Sequence, residues 1–297
     1  MFPGQSPQKA GLGEDLYRLH PQARAIFDAA DDHLGFPLSR LCFKGPEDRL
    51  NQDLNCQLAI YTHSCAVTAI LAAAGRSADL VSGYSSGFYA AAFAADCFGF
   101  VEGLEIVRRA GELLLAQGAL IQGGMGVIFG LDPETVGTLC RQSGQLQLAI
   151  FNTPRQIVIS GRSRDVDRTL EKAMEAGALD TYRLPAAAAY HSDLMTPAGR
   201  QLRDAIDPDV VRAPRIPLIS YSSLKPVTDT QDLVETMAVQ LSNPVRWVEL
   251  IQSLRPAGID RAYEIGPGQL IARSVRWIDR HLAVTALDGA EALDAML

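Results

Sequence analysis

Short apolar, strand-like runs alternate with longer helix-like segments along this chain, and that alternation limits its possible folds more than any other feature. It points to an α/β protein built on a parallel sheet. Residues 23–34 and 57–74 read as helices. Leu80-Val81-Ser82 is an apolar run that meets Gly83, so it reads as a buried strand reaching a turn; helices are expected over 88–97 and 100–115. The rhythm then changes. Strand, helix, strand, strand, helix and strand are expected over 125–131, 133–142, 146–151, 156–160, 163–176 and 180–184, with Asn152-Thr153-Pro154 between the middle strands. This β-α-β-β-α-β order is that of the split ferredoxin-like unit. Gly123-Gly124 and Pro185 read as its junctions. The expected organisation is therefore a small ferredoxin-like domain over 121–187, inserted into a large α/β-hydrolase-like domain formed by 1–120 and 188–297. Further strands are expected over 218–221 and 261–265.

Composition narrows the function. Of 297 residues, 47% are hydrophobic and 21% charged, which excludes disorder as the main state. A net charge of −7 argues against a general nucleic-acid binder. No apolar run reads as reaching the roughly 18 residues of a membrane span, 66–74 being the most apolar stretch. The opening Met-Phe-Pro-Gly-Gln lacks the basic and apolar regions of a signal peptide. The five cysteines (Cys42, Cys56, Cys65, Cys97, Cys140) are irregularly spaced with no C-x-x-C, so neither a disulfide framework nor a metal site is expected. The expected compartment is the reducing cytoplasm.

Gly83-Tyr84-Ser85-Ser86-Gly87 fits G-x-S-x-G between a strand reading and a helix reading. Such a turn places its serine at the apex, with the free N–H groups of a helix N-terminus behind it. From the residues alone, Ser85 is either a nucleophile or part of an ordinary tight turn. A nucleophilic serine needs a base. His20, His33 and His281 lie among charged residues, His63 lies within a helix, and His191 follows the apolar run 185–190. Spacing does not choose among them.

Several motifs in one order make the chain similar to a known family. Phe2-Pro3-Gly4-Gln5, Gly83 to Gly87, Phe151-Asn152-Thr153-Pro154, Tyr190-His191-Ser192-Asp193-Leu194-Met195, Gln240-Leu241-Ser242-Asn243-Pro244-Val245-Arg246-Trp247 and Glu264-Ile265-Gly266-Pro267-Gly268 resemble the motifs of the malonyl-CoA:acyl-carrier-protein transacylase family over nearly the whole chain. The resemblance implies an acyltransferase that moves an acyl group from a CoA or carrier-protein thioester to the phosphopantetheine thiol of an acyl carrier protein. It implies no bound cofactor, only acyl-CoA and carrier protein as substrates. Ser85 would be the acylated nucleophile, and His191 the base oriented by the Gln240 carbonyl. The N–H groups of Gln5 and Ser86 would form the oxyanion hole, and Asn152 would line the cleft. Gly266-Pro267-Gly268 is read as shaping a turn.

The departures from the family carry their own expectations. Ungapped alignment puts Ala110 where the family's arginine clamps the malonyl carboxylate. Arg109 is adjacent, but one helical residue turns a side chain by about 100°, so Arg109 substitutes only if the helix shifts. Tyr84 and Phe88 replace the usual histidine and glutamate (tyrosine occurs in the malonate-decarboxylase branch), Tyr190 is bulky, and 186–189 are alanines. A less polar cleft is expected, in which uncharged acyl groups fit at least as well as malonyl, with room beside Ala110. The chain also begins almost at Phe2-Pro3-Gly4-Gln5, so most of the family's first strand is expected to be absent. An editing acyl-ACP hydrolase and a non-catalytic carrier-binding subunit are the alternatives. Arg273, Arg276 and Arg280 recur at helical spacing and are expected to share a face. That face either docks an acidic carrier protein or is simply solvated.

Overall fold

A computed structural model describes residues 1–297. Its parallel sheet is assembled from unusually short pieces. Val81–Ser82 pairs in parallel with Leu218–Ile219, and Arg261–Ile265 pairs in parallel with Ala283–Leu287. Between these pairs lie Met1 and Phe2. Phe2 N–H donates to Ser82 O at 3.0 Å and Tyr84 N–H to Phe2 O at 2.9 Å. On the other side the Met1 amine donates to Tyr263 O at 2.7 Å, and Ile265 N–H donates to Met1 O at 2.8 Å. Two residues thus join both pairs into one parallel array. The strand Ala283–Leu287 was not read from the sequence; its alternating exposure is that of an edge strand, which carries a weaker apolar signal.

Helices cover the array. Pro21–Leu34, Gly87–Ala94 and Phe100–Ile121 pack around Asp53–Ala73. The expected lack of a span-length apolar segment is corrected here: Asp53–Ala73 is long and apolar enough, by length and composition, to cross a membrane, but 72% of its most apolar window is buried inside the protein. It is apolar all round because it is packed all round. His63 lies fully buried on it, and burial lowers its pKa to about 4. All five cysteines are buried and unbridged.

The small domain follows the expected order. Gly123–Phe129, Leu146–Thr153, Gln156–Arg162 and Asp180–Leu184 form an antiparallel sheet in which Gly123–Phe129 lies between Gln156–Arg162 and Asp180–Leu184. Helices Pro133–Ser143 and Ser163–Glu175 cover one face. Period-two alternation decides what each residue meets. Ile128, Ile157 and Ile159 pack beneath the helices, while Met125, Val127 and Val158 point the other way and join the core of the large domain. The glycine pair read as a junction instead opens the first strand of this sheet. Ile150 forms a parallel bridge to Val245, tying the sheet to the large domain beside the motif that begins at Gln240.

Candidate active site

The turn after Val81–Ser82 positions Ser85. Gly83 and Gly87 are required by contact: a Cβ on Gly83 would run into the Gly87–Phe88 peptide, and one on Gly87 into the carbonyl of Phe2. This close approach brings Phe2-Pro3-Gly4-Gln5 against the elbow, so that a Cβ built on Gly4 would lie 3.2 Å from Ser85 Cβ. Ser85 has φ 52 and His191 φ 58, a left-handed conformation that costs a non-glycine residue about 1 kcal/mol or more. The surrounding packing must hold both.

Ser85 Oγ lies 2.8 Å from His191 Nε2. His191 Nδ1 lies 3.0 Å from two backbone carbonyls, Gln240 O and Asn243 O. Carbonyls only accept, so Nδ1 carries the proton and Nε2 is left as the acceptor for the Ser85 hydroxyl. Burial lowers the His191 pKa to about 4, so the imidazole is neutral near pH 7. The Asn243 carbonyl was missed in the sequence, although it lies within the quoted motif, because a backbone acceptor leaves no residue-type signature. Gln5 N–H and Ser86 N–H make no hydrogen bond within the protein, and helix Gly87–Ala94 begins directly behind them. Two free donors on the wall beside Ser85, one of them at a helix start, suit an oxyanion.

These groups open into a cavity of about 580 Å³ between the two domains. Gln5, Ser85, Ser86, Asn152, Tyr190, His191 and Gln240 all line it. Asn152 Oδ1 accepts from Tyr84 OH at 2.5 Å. Leu114, Met125, Val127, Val158 and Leu184 supply apolar walls, and no Lys, Arg, Asp or Glu lines the cavity.

Two substrate-binding candidates named from the sequence do not line the cavity. Arg109 does not reach the cavity: its side chain is 47% exposed and lies 3.7 Å from Glu112. The helical rotation that separates it from position 110 is the reason. Ala110 is 1% exposed and packed, so the expected room beside it is filled; Leu114, one turn on, is the residue of this helix that lines the cavity. Another expectation is corrected outside the cavity. Helix Leu270–Ile278 carries Arg273 and Arg276 but ends before Arg280, which lies in the following turn. All three are exposed, and Arg273 lines a second cleft of about 870 Å³ that shares Ser6, Tyr84 and Asn152 with the first. Glu264 caps this helix, accepting from Ile271 N–H and Ala272 N–H at 3.0 and 2.9 Å.

One residue near the cavity had no sequence signal. Asp53, 8% exposed, reads as an ordinary acid in the first turn of a helix, where the dipole favours it. In the fold it accepts from Gln5 Nε2 at 2.5 Å, Ala187 N–H at 3.0 Å and Tyr190 OH at 2.6 Å.

The family described as "Acyl transferase domain" matches residues 1–278. The malonyl CoA-acyl carrier protein transacylase of Bacillus subtilis (strain 168) is 34% identical over 298 residues, spanning 99% of this chain and 94% of that protein. The solved malonyl CoA-acyl carrier protein transacylase from Coxiella burnetii superposes with a TM-score of 0.94 at 30% identity, covering 99% of this chain and 95% of that one. A type II PKS acyl-carrier protein in complex with its malonyl-transacylase gives the same TM-score at 29% identity, covering 100% and 97%.

Proposed function

The chain belongs to the acyl transferase domain family, and from that premise we propose that it transfers an acyl group from a CoA or carrier-protein thioester through Ser85 to the phosphopantetheine thiol of an acyl carrier protein. The observation that carries this reading is the 2.8 Å contact between Ser85 Oγ and a His191 whose tautomer is fixed by two carbonyls.

Ser85 Oγ attacks the thioester carbonyl while its proton passes to His191 Nε2. The developing oxyanion accepts from Gln5 N–H and Ser86 N–H. The carbon–sulfur bond breaks, and the departing thiolate takes the proton from His191. A carrier-protein thiol then gives its proton to His191 and attacks the acyl-serine, and the proton returns to Ser85 Oγ. Every group in this sequence belongs to the chain or the substrates, so the reaction proposed here needs no bound cofactor. Arg273 lines the adjoining cleft and, with the exposed Arg276 on the same helix, offers positive charge for an acidic carrier protein. Free, buried thiols suit the cytoplasm as the setting.

The acyl group proposed is uncharged. Taking a carboxylate into a cavity without a cation leaves it unpaired and desolvated. Intact-mass measurement after mixing with acetyl-, butyryl- and malonyl-CoA tests both points. An acyl adduct on Ser85, discharged by added holo-carrier protein and at least as rapid with acetyl or butyryl as with malonyl, is expected. Rapid loss without carrier protein would identify a hydrolase, and no adduct a non-catalytic subunit.

A further inference from the structure

We infer that Asp53 is a specificity-determining residue, a buried anion that makes this cavity reject carboxylated acyl groups. The inference rests on the reading of Ser85 as the acyl acceptor and deepens it. Asp53 stands behind the cavity wall, and two of its three donors, Gln5 Nε2 and Tyr190 OH, belong to residues that line the cavity. No cationic side chain pairs with it.

Two effects follow, and both act against a second carboxylate. The first is charge. An acyl carboxylate in this space lies near a buried carboxylate that stands behind the wall residues Gln5 and Tyr190, with no counter-charge on the cavity wall. The second is the use of donors. The Tyr190 hydroxyl and the Gln5 amide both belong to wall residues and both already point at Asp53, so neither is free for a substrate carboxylate. Burial and the neighbouring Asp53 raise the Tyr190 pKa, which keeps its hydroxyl protonated and donating. Gln57 Nε2 donates to Gln5 Oε1 at 3.3 Å, so the Gln5 amide is held at both ends. An uncharged acyl chain meets neither penalty and packs against Leu114, Val127 and Leu184.

The same carboxylate joins the segment bearing the Gln5 N–H to the residue preceding His191, so the test must separate selection from positioning. Asp53→Asn preserves shape: Asn Oδ1 accepts from Ala187 N–H and Tyr190 OH, and its Nδ2 donates to Gln5 Oε1 once the Gln5 and Gln57 amides flip. The measurement is Ser85 acylation, as kcat/KM, for malonyl-CoA and its uncharged carboxamide isostere, malonamoyl-CoA, in the unaltered protein and in Asp53→Asn. We expect the unaltered protein to favour malonamoyl by about ten-fold or more, and Asp53→Asn to reduce that preference by a similar factor. Acetyl-CoA is expected to change by no more than about three-fold, as befits a role in selection. Equal rates for the two isosteres in the unaltered protein would overturn the inference even if the variant does not fold. An unchanged ratio in a folded, acylated Asp53→Asn would overturn it while leaving acyl transfer intact. Absence of Ser85 labelling with every thioester would instead remove the acyl-transfer reading beneath it.

Discussion

The two ends of the cavity are built by different rules. At the nucleophile end, backbone geometry does the work. Ser85 and His191 both sit in left-handed conformations, the imidazole is oriented by two carbonyls, and the N–H groups of Gln5 and Ser86 are left free. At the acyl end, side chains do it: Leu114, Met125, Val127 and Leu184 form the walls, and Asp53 holds the Gln5 and Tyr190 side chains from behind. On the proposed reading the apolar walls can change while the hydrogen bonds around Ser85 and His191 stay in place, whereas Asp53, bound to both Gln5 and Tyr190, touches both ends.

The largest expected effect lies at the nucleophile end. Ser85→Ala should abolish the acyl adduct and lower transfer by about 10³-fold or more, whereas Ser86→Ala, which keeps the N–H, should retain most labelling. If Ser86→Ala alone removed the adduct, the nucleophile would have been misplaced. His191 sets the pH response. With its pKa lowered to about 4, the base is free at all higher pH, so acylation should be flat with pH above about 5 and fall below it. A rate that instead declined through pH 6.5 would indicate a solvent-exposed imidazole.

Stability should share that acid limb. His63 and His191 are both held near 4 in the fold, while an unfolded histidine titrates near 6.5. Between about pH 6.5 and 4 the unfolded chain therefore binds more protons. The stabilisation is complete above that window and is lost as pH falls through it. Urea midpoints at pH 7.5 and 5 check this, and a midpoint that does not drop would refute it. His63→Leu should flatten the slope.

Smaller effects lie at the acyl end. Ala110→Arg must displace packed neighbours, costing about 1–3 kcal/mol of stability. If the guanidinium reaches the cavity, the malonyl-to-acetyl ratio in kcat/KM should rise by roughly ten-fold. A lower melting temperature with no change in that ratio would mean that Asp53 or solvent has captured the new cation. The smallest effect belongs to Arg109→Ala. An exposed arginine with one surface partner contributes little, so both ratio and rate should stay within about two-fold. A selective loss of malonyl activity would return Arg109 to the site.

The sequence by itself determined the α/β alternation, the order of the ferredoxin-like unit, and the motifs that carry Gln5, Ser85, Asn152 and His191. Those depend on local properties: apolar periodicity over a few residues, glycine where backbones touch, and side-chain types at fixed spacing. Spacing could not choose among the histidines, and only the motif match marked His191. Tertiary structure decided which chain segments face each other across the cavity. It turned an apolar 21-residue helix into a core element, sent Arg109 to solvent while burying Ala110, and ended the helix before Arg280. It also brought the side chains of Gln5, Asp53 and Tyr190 within hydrogen-bonding distance. Nothing local marks Asp53, because its effect comes from a field and from donors that other parts of the chain deliver. A buried charge acts through its three-dimensional surroundings, and these exist only after folding has removed the water and brought the partners together.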